Sequence, residues 1–376
     1  MKRTSCAICN SDALTLMYKL KDFPLCQSGA NLLLQDDYID TIEIVGCKIC
    51  GCVQHSTLVD PSLLYKDVHS LTYSSATWSR HHALFSEFIL NNTSSNKFME
   101  VGGYSGVLAR EILSKKKISY SILDLCDSNP NIPSVTFYNG NCESFPFNKE
   151  NTLILSHTFE HLYKPSLFVD NIFKQSINEI FLSLPNLKEW VREGAVSSLH
   201  TEHTFFFNES MITTLFAKVG YRCKLIDHFG LHSIFFYFVK DPLQNTQVHW
   251  DNPNKMINFM KVYFDLREQV FQDISITTPF FIFPAGHFGQ MTYYFLKKFD
   301  KLLLGFLDND PSKVNKRMYG SSFTVYSPTE ILRYKDSPLT VIISAGPYSS
   351  EIRKQVSSLH PSCLIKIINL PITLDL

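Results

Sequence analysis

Apolar positions along the chain fall into two kinds of pattern. From about residue 69 to 95 they recur at spacings of three and four, with Trp78, His82, Phe85 and Phe88/Ile89 on one face, which predicts a helix. Beyond it, short apolar runs alternate with helix-length stretches. Lys97–Val101, Ser119–Asp124, Thr152–Ser156 and Glu179–Leu184 read as strands, and Val107–Leu113 as the start of a helix. Strands alternating with helices imply a parallel, doubly wound sheet. The Phe- and Ile-rich stretch Ile226–Val239 predicts a closing strand pair. The polar stretch from Asp241 to Pro253 reads as a linker. Lys255–Phe271 then returns as an amphipathic helix with Met256, Phe259, Tyr263, Leu266 and Val270 on one face. A second α/β unit follows, with strands at Phe280–Phe283, Leu302–Asp308 and Val341–Ser344. Residues 1 to about 68 lack helical periodicity. The expected division is a small module over 1–68, an α/β domain over 69–242, and a second Rossmann-like α/β domain with its leading helix over 243–376.

With 376 residues the chain is long enough for two or three cores. Its 35 basic and 35 acidic residues cancel, which removes the electrostatic case for a nucleic-acid partner. No apolar run reaches membrane-spanning length, so no membrane partner is expected. The opening Met-Lys-Arg-Thr-Ser-Cys has no apolar signal core behind it, and the expected location is cytoplasmic. A monomer or weak homodimer is the expected state.

That compartment changes the reading of the cysteines. In a reducing environment, Cys6-x-x-Cys9 and Cys47-x-x-Cys50 suggest zinc rather than disulfides. Zinc takes four thiolate or imidazole ligands in a tetrahedron, and two such turns complete the shell. Gly51 follows the second pair as a knuckle glycine, and Cys52 and His55 stand nearby as competitors for a ligand position. Four protein ligands make a closed, structural site.

The segment Glu100-Val-Gly102-Gly103-Tyr104-Ser-Gly106 ends one predicted strand and opens a helix. Glycines let the backbone pass close to a ligand. Asp124 ends the second strand, eighteen residues after Gly106, where a carboxylate can accept both hydroxyls of a ribose. The full pyrophosphate fingerprint is missing, which favours a nucleoside cofactor without a diphosphate, and S-adenosylmethionine is the obvious candidate. Gly140-Asn141-Cys142 falls where such folds hold an adenine. Ser156-His157-Thr-Phe-Glu-His161 follows the next strand, where the methyl-donating end would lie.

Taken together, these segments give the chain a resemblance to the zinc-containing C-methyltransferases that modify nucleotide-linked deoxysugars. The resemblance runs through both cysteine pairs, Tyr73-Ser-Ser-Ala-Thr, the loop at Glu100, Leu184-Pro-Asn, and Glu202-His203-Thr-Phe-Phe-Phe207. It ends with Ala285-Gly-His-Phe-Gly289 and Gly305-Phe-Leu-Asp-Asn309. It implies an S-adenosylmethionine-dependent methyltransferase that takes a proton from the carbon beside a sugar ketone and methylates the enolate. By the same resemblance His203 is the base, Glu202 its neighbour, and Tyr73 and His200 further members of the catalytic site. Core packing is the bland alternative for His200, His203 and the following phenylalanines. The chain departs from the family at His200, which stands where a Tyr is usual, and at Tyr104-Ser105, which replaces Asn-Asp. Methyl transfer to a hydroxyl or amine of a sugar or small metabolite therefore stands beside the carbon route. A zinc-stabilised nucleotide-sugar-binding protein with a decayed cofactor site is the alternative of another class.

Ala285-Gly286-His287-Phe-Gly289 is a second glycine loop, with Asp308 nineteen residues after Gly289. Pro284 occupies the first glycine position of a dinucleotide fingerprint, so an independent nicotinamide site is not expected.

Overall fold

The computed structural model describes residues 1–25, 29–30, 33–64, 76–127, 129–148, 152–198, 200–368 and 370. Tyr73 lies outside the described residues.

The predicted strands at Lys97, Ser119, Thr152 and Glu179 form, and Val135–Asn139, which the hydrophobic pattern does not mark, joins them. The stretch at Ile226 is two strands, Tyr221–Phe229 and Ser233–Lys240, joined by a tight turn. Together they make one seven-stranded sheet. Its order is Tyr221–Phe229, Ser233–Lys240, Glu179–Pro185, Thr152–Ser156, Lys97–Val101, Ser119–Asp124, Val135–Asn139. All neighbours are parallel except Ser233–Lys240, which runs antiparallel to both of its partners.

The central strands are covered on both faces, which is why Thr152–Ser156 and Glu179–Pro185 are almost wholly buried. Side chains alternate between two cores. Phe98, Ile122, Ile154 and Phe181 point toward the helices Ala76–Asn92 and Val107–Lys115. Met99, Leu123, Leu153, Leu155, Ile180 and Leu182 point toward Pro165–Lys174 and Glu209–Val219.

The first 64 residues build a second, four-stranded sheet, in the order Leu14–Pro24, Ile39–Cys47, Val53–His55, Phe205–Phe206. Its last strand comes from far along the chain. Phe205 and Phe206 pair antiparallel with Gln54 and Val53. Arg3 reinforces this joint: its buried guanidinium donates to the carbonyls of His55, Thr204 and Tyr163 and to Thr204 Oγ1.

The amphipathic helix spans Pro253–Asp273 and is capped by Asn252, whose side chain accepts from the Asn254 N–H. Tyr263 Oη donates to the Ala195 carbonyl and Arg267 to the Val196 carbonyl, so this helix supports the loop that leads to His200. Beyond it lies a five-stranded, all-parallel sheet, in the order Val325–Tyr326, Leu303–Leu307, Phe280–Phe283, Thr340–Ile343, Leu364–Ile367. Val325–Tyr326 and Leu364–Ile367 are strands that the sequence pattern does not mark. No helix among the described residues is long and apolar enough to cross a membrane.

Candidate functional site

In the seven-stranded sheet, Lys97–Val101 and Thr152–Ser156 are neighbours whose connections leave in opposite directions. That is a topological switch point, where open α/β sheets bind ligands outside the carboxyl ends of their strands. The first glycine loop sits there.

Gly102 has φ +75° and donates its N–H to the Leu123 carbonyl at 2.8 Å. A Cβ on it would lie 2.3 Å from Thr158 Oγ1 and 2.7 Å from Thr158 Cγ2. Thr158 Oγ1 in turn donates to the Val101 carbonyl. The loop closes through the Gly106 N–H on the Gly103 carbonyl at 2.7 Å, and the helix from Val107 follows. Tyr104 has φ +35°, and its N–H donates to Asp124 Oδ2 at 2.8 Å. Asp124 Oδ1 accepts the Cys126 N–H at 2.9 Å. Each Asp124 oxygen thus accepts one backbone N–H and keeps lone-pair capacity for a ligand hydroxyl.

Glu100 is buried, accepts a hydrogen bond from Tyr120 Oη at 2.9 Å, and is pushed up to about 7 by burial. Asn141 caps its own turn, with Oδ1 accepting the Glu143 N–H, and the Cys142 thiol beside it is buried. Ser156 Oγ is buried and has no hydrogen-bond partner. His157 has φ +50°, and its Nε2 is 2.8 Å from Ser233 Oγ.

Beyond His157 the structure gathers residues that sequence reasoning kept apart. His203 Nδ1 is 3.4 Å from the Ser198 carbonyl, and its Nε2 is 4.0 Å from Glu160 Oε1. His161 lies between two carboxylates, with Nε2 3.8 Å from Glu160 Oε1 and Nδ1 3.8 Å from Glu202 Oε2. His200 packs 3.9 Å from His203 and 4.4 Å from His287, measured between ring centroids. The second glycine loop therefore contributes His287 to this cleft. A further group, Trp78, His81 and His232, packs around His157. Glu160, His161, His81, His232 and His287 were not singled out as site residues from the sequence. The Glu160-His161 pair and the thirteen histidines of the chain were the available signals.

Burial dominates the electrostatics. It lowers His203 and His287 to about 3, with help from His287 and Lys313 respectively, and His232 to about 4. It raises Glu160, which is fully buried, to about 8.

The four paired cysteines also meet. Cys6 and Cys50 Sγ are 3.5 Å apart, as are Cys9 and Cys47 Sγ, and all four sulfurs lie within 4.8 Å of one another. That spacing is far longer than a disulfide and close to the roughly 3.8 Å edge of a tetrahedron with metal–sulfur bonds near 2.3 Å. The two turns are alike. Cys6 N–H donates to Ser11 and Cys47 N–H to Cys52, five residues on in each case. Asn10 at φ +60° and Gly51 at φ +78° return N–H bonds to the first cysteine's carbonyl. Cys52 lies outside the group, its thiol against Gln54 Oε1 and the Phe206 carbonyl.

No protein-family model matches the chain. The curated proteins contain no match either. Among solved structures the chain is similar to a magnesium protoporphyrin IX methyltransferase from Synechocystis PCC 6803, at 11% identity and a TM-score of 0.37, over 44% of this chain and 84% of that one. It is also similar to a SAM-dependent methyltransferase from Aquifex aeolicus, at 14% identity and a TM-score of 0.36, over 43% of this chain and 93% of that one. A glycopeptide N-methyltransferase complexed with S-adenosylmethionine aligns at 12% identity and a TM-score of 0.35, over 42% and 86%.

Two outcomes test the loop's physics. Gly102→Ala combines a left-handed backbone with a contact that Thr158 cannot rotate away from, and is expected to lose about 2 kcal/mol of stability in urea. A wild-type midpoint would mean the loop relaxes freely. Glu100 holds its proton in the folded chain up to about pH 7, against 4.5 for the ordinary carboxyl. Its contribution to stability is therefore full below pH 4.5, falls as the pH rises to about 7, and is flat above. Glu100→Gln in the unliganded protein should match wild type near pH 4 and be more stable by on the order of 3 kcal/mol at pH 8. Equal melting curves at both pH values would refute the buried, protonated carboxyl.

Proposed function

We propose that the chain is an S-adenosylmethionine-dependent methyltransferase, and that its acceptor is a nucleotide-linked keto-deoxysugar. The observation that carries the first part is the braced glycine loop at the switch point of a sheet whose Ser233–Lys240 strand turns back between two others. A class I, Rossmann-like methyltransferase domain is what the sequence resemblance implies for residues 69–242.

The cradle's residues suit the cofactor. Glu100, Gly102, Gly103, Tyr104 and Gly106 would line its amino-acid side, Asp124 its ribose, and Asn141 and Cys142 its adenine. Ser156, a buried hydroxyl without a partner, and His157 would border the reacting end. A cationic ligand beside Glu100 would offset the burial that now keeps this carboxyl protonated. When bound, the cofactor supplies an electrophilic methyl group on a sulfonium.

The acceptor's proton would be taken at the cluster of Glu160, His161, Glu202 and His203, which offers lone pairs from two segments. The five-stranded sheet supports a second Rossmann-like domain for the acceptor's nucleotide. Its Asp308 braces the second loop as Asp124 braces the first, accepting the Ala285 N–H at 3.0 Å. Lys313 Nζ, 3.0 Å from Asp308, would supply a cation for phosphate. His200 and His287, between the two loops, would line the sugar's path.

A second reading, transfer to a hydroxyl or amine, is favoured by the burial that lowers His203 to about 3 and weakens it as a base for a carbon acid. An acceptor deuterated beside its ketone separates the two. The carbon route loses deuterium from the product, and the oxygen or nitrogen route keeps all of it. On either route His203→Ala should lower kcat by about 100-fold or more while cofactor affinity, measured by calorimetry, stays within about threefold. Unchanged turnover would remove His203 from the mechanism.

The four-cysteine cluster would hold a structural zinc ion through Cys6, Cys9, Cys47 and Cys50. Gln54 links it to the site: it accepts the Ala7 N–H of the first knuckle and belongs to the strand that pairs with Phe205. Cys47→Ser should lose one zinc per chain by metal analysis and melt at a lower temperature. Full metal content in that variant would show the ion lies elsewhere.

A further inference from the structure

We propose that Glu160, His161 and His203 form a second metal centre, for a divalent ion of the zinc, manganese, iron or cobalt class, at the acceptor end of the cleft. One ligand atom from each residue falls within a 4.8 Å group. His161 Nε2 and His203 Nε2 stand 3.8 and 4.0 Å from Glu160 Oε1. Donors about 2 Å from a tetrahedral ion lie roughly 3.3 Å apart, so modest side-chain rotation closes the shell.

Three further features point to an ion rather than to chance packing. Glu160 is completely buried, and neither of its oxygens has a hydrogen-bond partner among the described residues. A carboxylate in that state is costly unless a cation meets it. Each imidazole also has its far nitrogen against an acceptor: His161 Nδ1 faces Glu202 Oε2 at 3.8 Å, and His203 Nδ1 faces the Ser198 carbonyl at 3.4 Å. Such outer partners are how proteins fix the tautomer of a metal-binding histidine and turn its near nitrogen toward the ion. Finally, the two ligand segments are tied before any ion arrives. The Thr204 N–H donates to the Glu160 carbonyl at 3.1 Å, and Thr204 Oγ1 donates to the Leu162 carbonyl at 2.8 Å.

Glutamate with two histidines is a donor set of catalytic rather than structural sites, because it leaves coordination positions open. Glu160 lies two residues beyond Thr158, which abuts Gly102, so the centre lies close to the first glycine loop. The ligand class is an acceptor oxygen adjacent to the methylated atom: a ketone, an enediol or a vicinal hydroxyl. The ion would polarise that oxygen, so the adjacent proton leaves more easily. His203 then serves as a ligand, and the base role goes to a neighbouring group or to water. The identity of the bound oxygen rests on the methyltransferase reading; the ion itself does not.

The test titrates Co2+ alone into the full-length protein as purified, followed by calorimetry, metal analysis and visible absorption. Wild type should take one equivalent beyond the cysteine-bound metal, with d–d bands and no added thiolate-to-cobalt charge transfer. Glu160→Gln and, separately, His161→Gln should lose that equivalent while keeping the cysteine-bound metal and wild-type circular dichroism. Glu202→Gln, which removes an outer partner only, should weaken it by roughly 10–100-fold. A wild-type protein that binds no second equivalent overturns the proposal, and so does a Glu160→Gln protein that still binds it. S-adenosylmethionine binding is measured in parallel. Its absence with the second ion present would sink the methyltransferase reading and leave the metal centre standing.

Discussion

The backbone from Glu202 to Phe206 is pinned from three directions, and the site takes its shape from that. On one side the Thr204 N–H reaches the carbonyl of Glu160 in the seven-stranded sheet's loops. On the other, the His55 N–H reaches the carbonyl of Thr204, and Phe205 and Phe206 become the last strand of the cysteine module. From below, Arg3 donates to Thr204 and Tyr163 together. These are mostly main-chain bonds, so the direction of His203 is set by peptide planes fixed on both edges. Hydrogen bonds from a charged donor contribute about 1.5–3 kcal/mol each, and Arg3 makes its bonds in the interior, where leaving a partner unpaired is costly. A module with little core of its own thus reaches the cleft by a short path. It runs from the sulfur cluster through Ala7 and Gln54 to Phe205.

The two parallel sheets repeat one local device. In each, an aspartate at the end of the second strand accepts the loop N–H with Oδ2 and the N–H two residues ahead with Oδ1. Asp124 does this for Tyr104 and Cys126, and Asp308 for Ala285 and Asp310. The cause is geometric. Neighbouring parallel strands end at one level, so a short carboxylate on one reaches the turn leaving the other. The loops differ where it matters for binding. The first has Gly102 in the left-handed region, whereas the second has Pro284, and a Cβ on Gly289 would meet the Pro284 carbonyl oxygen at 2.0 Å. The second loop is closed by its own backbone at Gly289 and open at Gly286, and it sets the side chain of His287 against His200.

Much of this was legible along the chain, for reasons tied to burial. Central strands such as Thr152–Ser156 and Phe280–Phe283 are covered on both faces and read as apolar runs. Val135–Asn139 is an edge strand with a half-exposed pattern, and Val325–Tyr326 has two residues; neither leaves a signal in composition. The glycine loop and the cysteine pairs were visible because their chemistry depends on local spacing. The site's other half depends on contacts between distant segments. Glu160 stood within the segment expected at the methyl-donating end, but its approach to His203, tied by the Thr204 bond, is not written in the spacing. His200 and His287 are 87 positions apart and still stack at 4.4 Å.

Imidazoles buried this closely together favour their neutral form. His81, His157, His200, His203, His232 and His287 are all lowered, chiefly by burial and then mostly by one another, while Glu160 is raised. At neutral pH these imidazoles are therefore neutral lone-pair donors, and Glu160 beside them holds its proton. This is the state that tolerates a cation. Imidazolium rings would repel any cation, whereas a neutral imidazole keeps one lone pair free to meet it. A neutral, pre-oriented lining offers lone pairs to positive charge without ion pairing. Reorganisation is small, because the groups that face it are already held by Ser183, Ser198, Ser233 and Glu202.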